Sequence, residues 1–159
     1  MASTMNYHAA NPTEGQDLAA TRPCLLGNES DSAFIDMLVS FRSTGGLVRA
    51  QEVFTLFKSR NGLGVATLAR WIARRSVLSL EWNADVWMPL FQFERHCMNV
   101  KPALEPVLAE LNPIFTPWEL THWCAQPHRW LDGISPANTL DVDAKRVLSA
   151  ACADHFALQ

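Results

Sequence analysis

The sequence predicts a mainly α-helical protein in two parts, a small helix-turn-helix with a β-hairpin wing packed against a C-terminal helical domain. Three observations predict it. Apolar residues recur at spacings of three and four along most of the chain after Asp31, the period of a helix with one buried face. One stretch breaks that rhythm: Val77–Trp82 and Val86–Phe93 are rich in β-branched and aromatic residues, and Asn83-Ala84-Asp85 between them reads as a hairpin turn. In the last third, prolines and glycine cut the helical pattern into helices joined by a shaped aromatic loop, Pro127 to Pro136.

The chain has 159 residues, enough for one domain or two small ones with a core. Hydrophobic residues make up 48% and charged residues 18%, the balance of a globular protein rather than a fibrous or disordered one. Apolar runs are short and interrupted, so no membrane span is expected, and the N-terminus lacks the basic-then-apolar pattern of a signal peptide. These features place the protein in the cytosol. Cys24, Cys97, Cys124 and Cys152 lie far apart without C-x-x-C spacing, so reduced, buried thiols are expected.

Residues 1–30 are rich in small and polar types with little periodicity, and read as a disordered tail. Residues 31–99 form the expected N-terminal unit. Phe34, Met37, Leu38 and Phe41 recur at helical spacing behind a Ser/Asp cap, giving a short amphipathic helix whose stripe must dock on the chain or on another copy of it. Thr44-Gly45-Gly46 breaks the chain. Val48–Phe57 then reads as a helix with Val53, Leu56 and Phe57 inward, residues 58–64 as a turn, and Val65–Arg75 as a second helix with Leu68, Trp71 and Ile72 inward. Nine Lys/Arg stand against four acids between Arg42 and Lys101, a local balance of +5 in a chain of net charge −3. A basic middle between acidic ends is the footprint of a segment that meets nucleic acid. Lys58, Arg60, Arg70, Arg74 and Arg75 are its candidate DNA-binding residues, since arginine's fork suits phosphates and base edges. With Leu68-Ala69-Arg70-Trp71-Ile72 in its second helix, Leu47–Phe93 resembles the winged helix-turn-helix modules of the excisionase and MerR kind. The wing tip carries Asp85 and no cation, and phosphate repels an acid there, so a wing kept for packing or dimerisation stays open beside DNA binding.

Residues 100–159 form the second unit. Leu104, Val107, Leu108 and Leu111 make the stripe of a helix over Pro102–Leu111, which Asn112-Pro113 stops. Thr116 caps the next helix, Pro117 suits its first position and Glu119 sits where a capping-box acid belongs; Leu120, Trp123 and Cys124 share a face, and Pro127 ends the run. The last helix is expected over residues 141–156 with Val147, Leu148, Ala151 and Phe156 inward. The loop Pro127-x-x-x-Leu131-x-Gly133-x-x-Pro136, followed by Arg146-Val147-Leu148, resembles the toxin-binding domain of the Xre/MbcA/ParS antitoxin family over roughly residues 100–156. Three places depart from that pattern: Gln126 stands for Asn, Asp132 for the first Gly, and Ala137-Asn138 for Leu-Asp. The first two alter the loop's geometry, and the third removes a core leucine and a capping acid. The resemblance implies an antitoxin that binds and blocks a RES-domain, NAD-consuming toxin and represses its own operon on operator DNA as a homodimer. It implicates Arg146, Phe156 and Gln159 in toxin binding, with Trp130, Leu131 and Gly133 shaping that surface; core packing is the preferred role for Trp130 and Leu131.

No motif for an enzyme, cofactor or metal is expected. Glycine-rich phosphate loops, His/Glu metal motifs and nucleophile elbows are missing from the sequence. His122 and Cys124 point about 200° apart on a helix, with His128 beyond Pro127, so they do not make a zinc set. Asp154-His155 beside Cys152 diverge in the same way and read as a solvated helix end. The alternative to an antitoxin is a stand-alone regulatory or protein-interaction module of the same fold, without a toxin partner or without DNA binding.

Overall fold

The structure, a computed structural model, describes the backbone from Cys24 to Gln159 and the side chains from Asp31 onward. The expected tail therefore lies outside the described residues up to residue 23, and its last seven residues belong to the first helix, α1 (Cys24–Ser40). The chain continues through β1 (Leu47–Arg49), α2 (Ala50–Arg60), α3 (Val65–Ala73), β2 (Leu80–Trp82) and β3 (Asp85–Pro89). It ends with α4 (Leu104–Leu111), α5 (Pro117–Ala125), α6 (Pro136–Thr139) and α7 (Ala144–Leu158). Among the described residues it is mainly helical, with a single three-stranded antiparallel sheet in the order β1-β3-β2.

Strand β1 replaces the expected start of a helix at Val48. Leu47, Val48 and Arg49 pair with Pro89, Met88 and Trp87, so sheet pairing overrides the local helical spacing. The helix begins two residues later, at Ala50: the Arg49 N–H donates to Glu52 Oε2 at 3.2 Å, and the chain enters α2 from an extended Arg49. Asn83 and Ala84 turn the hairpin, both in the left-handed region at φ +50° and +63°, which matches the twist of the strands. β3 is shorter than expected because Pro89, with no N–H, closes it and Leu90–Gln92 form a 3₁₀ turn, and β2 starts only at Leu80.

The apolar stripe of α1 docks on its own chain. Phe34 stacks on Trp82 with ring centroids 4.8 Å apart and meets the edge of Trp87 at 5.0 Å, while Phe41 stacks on Phe91 at 5.7 Å. The Phe34–Phe41 stripe is therefore spent inside the protein and is corrected as a surface for a second copy. Phe34, Met37, Phe41, Leu78, Leu80 and Phe91 share one core with Leu104, Leu111, Leu120, Leu131, Val147 and Ala151. That core runs across residue 100, so the C-terminal helices bury side chains from both ends of the sequence. A second cluster, built on Val53, Phe57, Leu68, Val77, Met88, Phe93 and Met98, holds α2 and α3 to the sheet.

Two polar side chains join these cores. The Gln92 amide is fully buried: its Oε1 accepts from Leu78 N at 2.7 Å, and its Nε2 donates to Leu78 O and Pro89 O, each at 2.9 Å. It serves Leu78 as a neighbouring strand would. Arg75, just past α3, takes φ +53°, which strains a side-chain-bearing residue, and spends its guanidinium on the Asn112 and Phe115 carbonyls at 2.9 and 2.7 Å. Asn112 Nδ2 returns a bond to Arg75 O at 3.0 Å, tying the end of α3 to the end of α4. Replacing Gln92 with leucine strands the Leu78 N–H and two carbonyls away from water. Urea unfolding is expected to show a loss of about 2–5 kcal/mol, whereas a loss below about 0.5 kcal/mol, the range of ordinary surface changes, contradicts this role.

Candidate docking face on the loop and last helix

The loop after α5 is built by caps and two left-handed residues. Thr116 Oγ1 accepts from Glu119 N at 3.3 Å, and the Thr116 N–H donates to Glu119 Oε2 at 2.8 Å, so the expected capping box is present. The Thr116 N–H, then its hydroxyl, stabilise the Glu119 carboxylate and hold its pKa below the ordinary range. After Pro127 the chain folds back on itself. The N–H groups of Leu131 and Gly133 donate to His128 O, and the His128 N–H donates to Ile134 O. Asp132 and Gly133 make this reversal at φ +57° and +76°. Asp132 thus adopts the left-handed conformation that a glycine would otherwise supply, and its carboxylate pairs with Arg146 Nη2 at 2.7 Å. Leu131 is fully buried, as expected; Trp130 is 53% exposed, which corrects its assignment to the core. In α6, buried Ala137 and the following Leu140 fill the core where a leucine was missing. Asn138 donates to Ser135 Oγ at 2.7 Å within the cap.

Helix α7 carries the loop. Its inward stripe is Val147, Ala150 and Ala151, and Asp154 continues the same spacing. One oxygen of Asp154, Oδ2, accepts from Trp123 Nε1 at 2.7 Å and from His128 Nε2 at 2.8 Å. Burial pushes the Asp154 pKa up, but the hydrogen bonds from His128 and Trp123, followed by the charges of His128 and Arg129, outweigh it, leaving the carboxyl below its ordinary value. Asp154 is therefore not the solvated end expected from sequence. His155 likewise turns inward, its Nδ1 bonding Glu110 Oε2 on α4 at 2.8 Å.

Arg146 leans across to the loop, its Nε donating to Trp130 O at 3.1 Å. Trp130, Arg146, Ser149 and Ala153 border one shallow groove, and Phe156 stands one turn beyond Ala153 on the same side of α7. Phe156 is 85% exposed, so its expected inward position is corrected: Asp154, two residues earlier, occupies the inner side of that turn. Gln159 is exposed at the end of α7, with its amide 2.8 Å from His155 Nε2. Gly133 is exposed with open space where a Cβ would stand, so its positive φ, not crowding, favours glycine there. Of the implicated residues, Trp130, Arg146 and Phe156 thus lie on or beside one face, and Gly133 is exposed in the same loop. Arg146 shapes that face by holding the loop.

The basic candidates separate differently. Lys58, Arg70 and Arg74 are exposed. Arg60 Nη1 donates to the Arg95 carbonyl, and Arg75 is the half-buried strut already described, so Arg75 is corrected as a free contact for DNA. At the start of β3 Asp85 is paired with Arg49 Nε at 3.0 Å. His122, Cys124 and His128 do not converge, and no metal-holding cluster occurs among the described residues. Cys124 is buried, which pushes its thiol pKa well up, whereas Cys152 is exposed, against the expectation of buried thiols. No helix among the described residues is long and apolar enough to cross a membrane.

Comparison with protein-family models, curated proteins and solved structures found no match. The functional reading rests on the residues themselves. Sequence reasoning missed Asp154 although one signal was available, an acid continuing the buried 147-150-151 stripe. It also missed the reach of Arg146 to Trp130, which no local spacing announces.

A stability consequence follows from Asp154. A carboxylate with a lowered folded pKa stabilises the fold above its unfolded pKa, near 3.8, and loses that contribution as pH falls through the folded value. The gap in unfolding free energy between the parent and Asp154→Asn is therefore expected to stay level from neutral pH to about 5 and to shrink in stronger acid. Chemical denaturation at a series of pH values checks it, and a gap that widens towards acid would contradict it.

Proposed function

We propose that the protein is the antitoxin of a type II toxin–antitoxin pair, binding and blocking a RES-domain, NAD-consuming toxin and repressing its own operon on DNA. The observation that carries this reading is the pair of large apolar side chains, Trp130 and Phe156, held outward beside one groove on the loop and helix that resemble a toxin-binding domain. Rigid, exposed aromatics are the usual anchors of protein interfaces, and exposing them in water has no benefit to an isolated fold. Blocking is then occlusion of the toxin by this face, with no chemistry required of the antitoxin.

DNA binding is the second half of the proposal. The order α1-β1-α2-α3-β2-β3, with β1 hydrogen-bonded to β3, supports a winged helix-turn-helix in which α3 is the reading helix. Lys58, Arg70 and Arg74 are its free cations, and a homodimer would place two such helices on two half-sites. The alternative, an interaction module without DNA binding, draws on the acidic wing tip and on the use of Arg75 inside the protein.

Co-expression with the RES-domain enzyme of the same genome, reading growth and cellular NAD, tests the first half. Trp130→Ala or Phe156→Ala is expected to weaken binding about thirtyfold, ~2 kcal/mol, and to restore toxicity with little change in melting temperature. Leu131→Ala is expected instead to cost ~2–5 kcal/mol of stability through a core cavity. If both aromatic variants neutralise as well as the parent, the docking face is wrongly placed. For DNA, replacing Lys58, Arg70 and Arg74 together is expected to remove binding to the upstream promoter fragment. Single replacements each lower the salt slope by about 1. An unchanged promoter shift by the triple variant leaves the interaction module as the better reading.

A further inference from the structure

The side of Trp130 that faces the protein is held by a short relay. Asp154 Oδ2 can only accept while ionised, so the 2.8 Å contact makes His128 Nε2 the donor. Nδ1 of the same ring is within 3.3 Å of the Trp130 N–H, which donates to it. A neutral imidazole satisfies both contacts, with its proton on Nε2. A doubly protonated one cannot, because Nδ1 then carries a hydrogen that meets the Trp130 N–H head-on. Trp123 Nε1 donates to the same Asp154 oxygen and its ring meets the His128 ring edge to face at 5.3 Å, fixing the imidazole from α5.

We infer that Asp154 and His128 are the positioning residues of the docking face. They present Trp130 through the Nε2–H form of His128, and gain of a second proton by that ring removes the acceptor of the Trp130 N–H. The role of the presented Trp130 rests on the reading of this face as the toxin-binding one; the relay itself does not. Other charged or titratable groups face or adjoin the ring. Arg129 is next to it in the loop, with its guanidinium over the Trp130 ring at 5.3 Å, and Glu119 and His122 of α5 line the same groove as His128. Arg146 holds the far side of the loop through Trp130 O and Asp132, so release of the Trp130 N–H loosens the loop on its His128 side alone.

Nitrogen-15 NMR of the full chain tests the relay without any partner. The ring shifts of His128 are expected to report the Nε2–H tautomer when neutral. As those shifts record the second proton, exchange of the Trp130 amide, corrected for its intrinsic pH dependence, is expected to rise roughly fivefold, the effect of losing one net hydrogen bond. Two substitutions separate the halves. Asn at 128 offers an acceptor near the place of Nδ1, so His128→Asn is expected to keep the amide protected and abolish its pH step. Gln reaches the place of Nε2, so His128→Gln is expected to keep the donor to Asp154 and leave the amide unprotected at every pH. Far-UV circular dichroism confirms that both variants fold. An Nδ1–H tautomer, a Trp130 amide indifferent to His128 protonation, or equal protection in the two variants overturns the inference. Failure of the toxin-binding reading appears separately, as retained neutralisation in Trp130→Ala.

Discussion

One carboxylate oxygen fixes the relation between the last helix and the loop in front of it. Asp154 Oδ2 gathers an indole N–H from α5 and an imidazole N–H from the loop at 2.7 and 2.8 Å. Helix α7 thereby meets, at one atom, residues 31 and 26 positions earlier in the chain. A charged acceptor with two donors in a partly desolvated place makes stronger hydrogen bonds than neutral pairs do. Around it the arrangement is closed by Arg146 on the loop's other side and by His155 against Glu110 on α4. The backbone that carries the exposed aromatics is set on this base. A tryptophan and a phenylalanine on an unanchored loop and helix end would sample many orientations and would lose that freedom on binding.

Where the chain's local signals were strong, sequence and structure agree. The Thr116–Glu119 capping box, Pro117 at the helix start, the α4 stripe and the burial of Phe34, Met37, Phe41 and Leu131 all follow from spacing and side-chain chemistry. The disagreements share a cause, a partner far away in sequence. Leu47–Arg49 is a strand because Trp87–Pro89 is there to pair with it. Phe156 points outward because Asp154 is taken by His128 and Trp123, so a helical wheel drawn from apolar residues alone rotates α7 wrongly. Arg75 looked like a surface cation among arginines, yet the Asn112 carbonyl at the end of α4 and the Phe115 carbonyl of the turn that follows receive it. Asp132 differs in kind: its substitution for glycine suggested an altered loop, and the left-handed turn is kept by an aspartate whose charge Arg146 meets.

The contact of Arg75 with α4 also bears on how the two parts communicate. The last carbonyls of a helix carry its negative dipole end, and a guanidinium bound to them is favourable twice, as a hydrogen bond and as a charge. Arg75 does this for α4 from the end of α3, the helix proposed to read DNA. The two parts are thus fastened at a charged joint as well as by apolar burial.

The shared core sets the order in which this protein can be made. Helix α1 and the 3₁₀ turn after it offer Phe34, Met37 and Phe41 early in synthesis, but part of the core that receives them is contributed by residues 104–151, and Ser43 finds Asn138 across 95 residues of chain. Contacts so distant in sequence form late and slowly, because closing a long loop costs entropy before any contact repays it. Until the last helix has been made, the growing chain therefore has its first apolar stripe without its full receptor. A chain ending before α5 and α6 would leave that stripe and the turn after it without the helices they pack against, so the start of the chain depends on its last third for full burial.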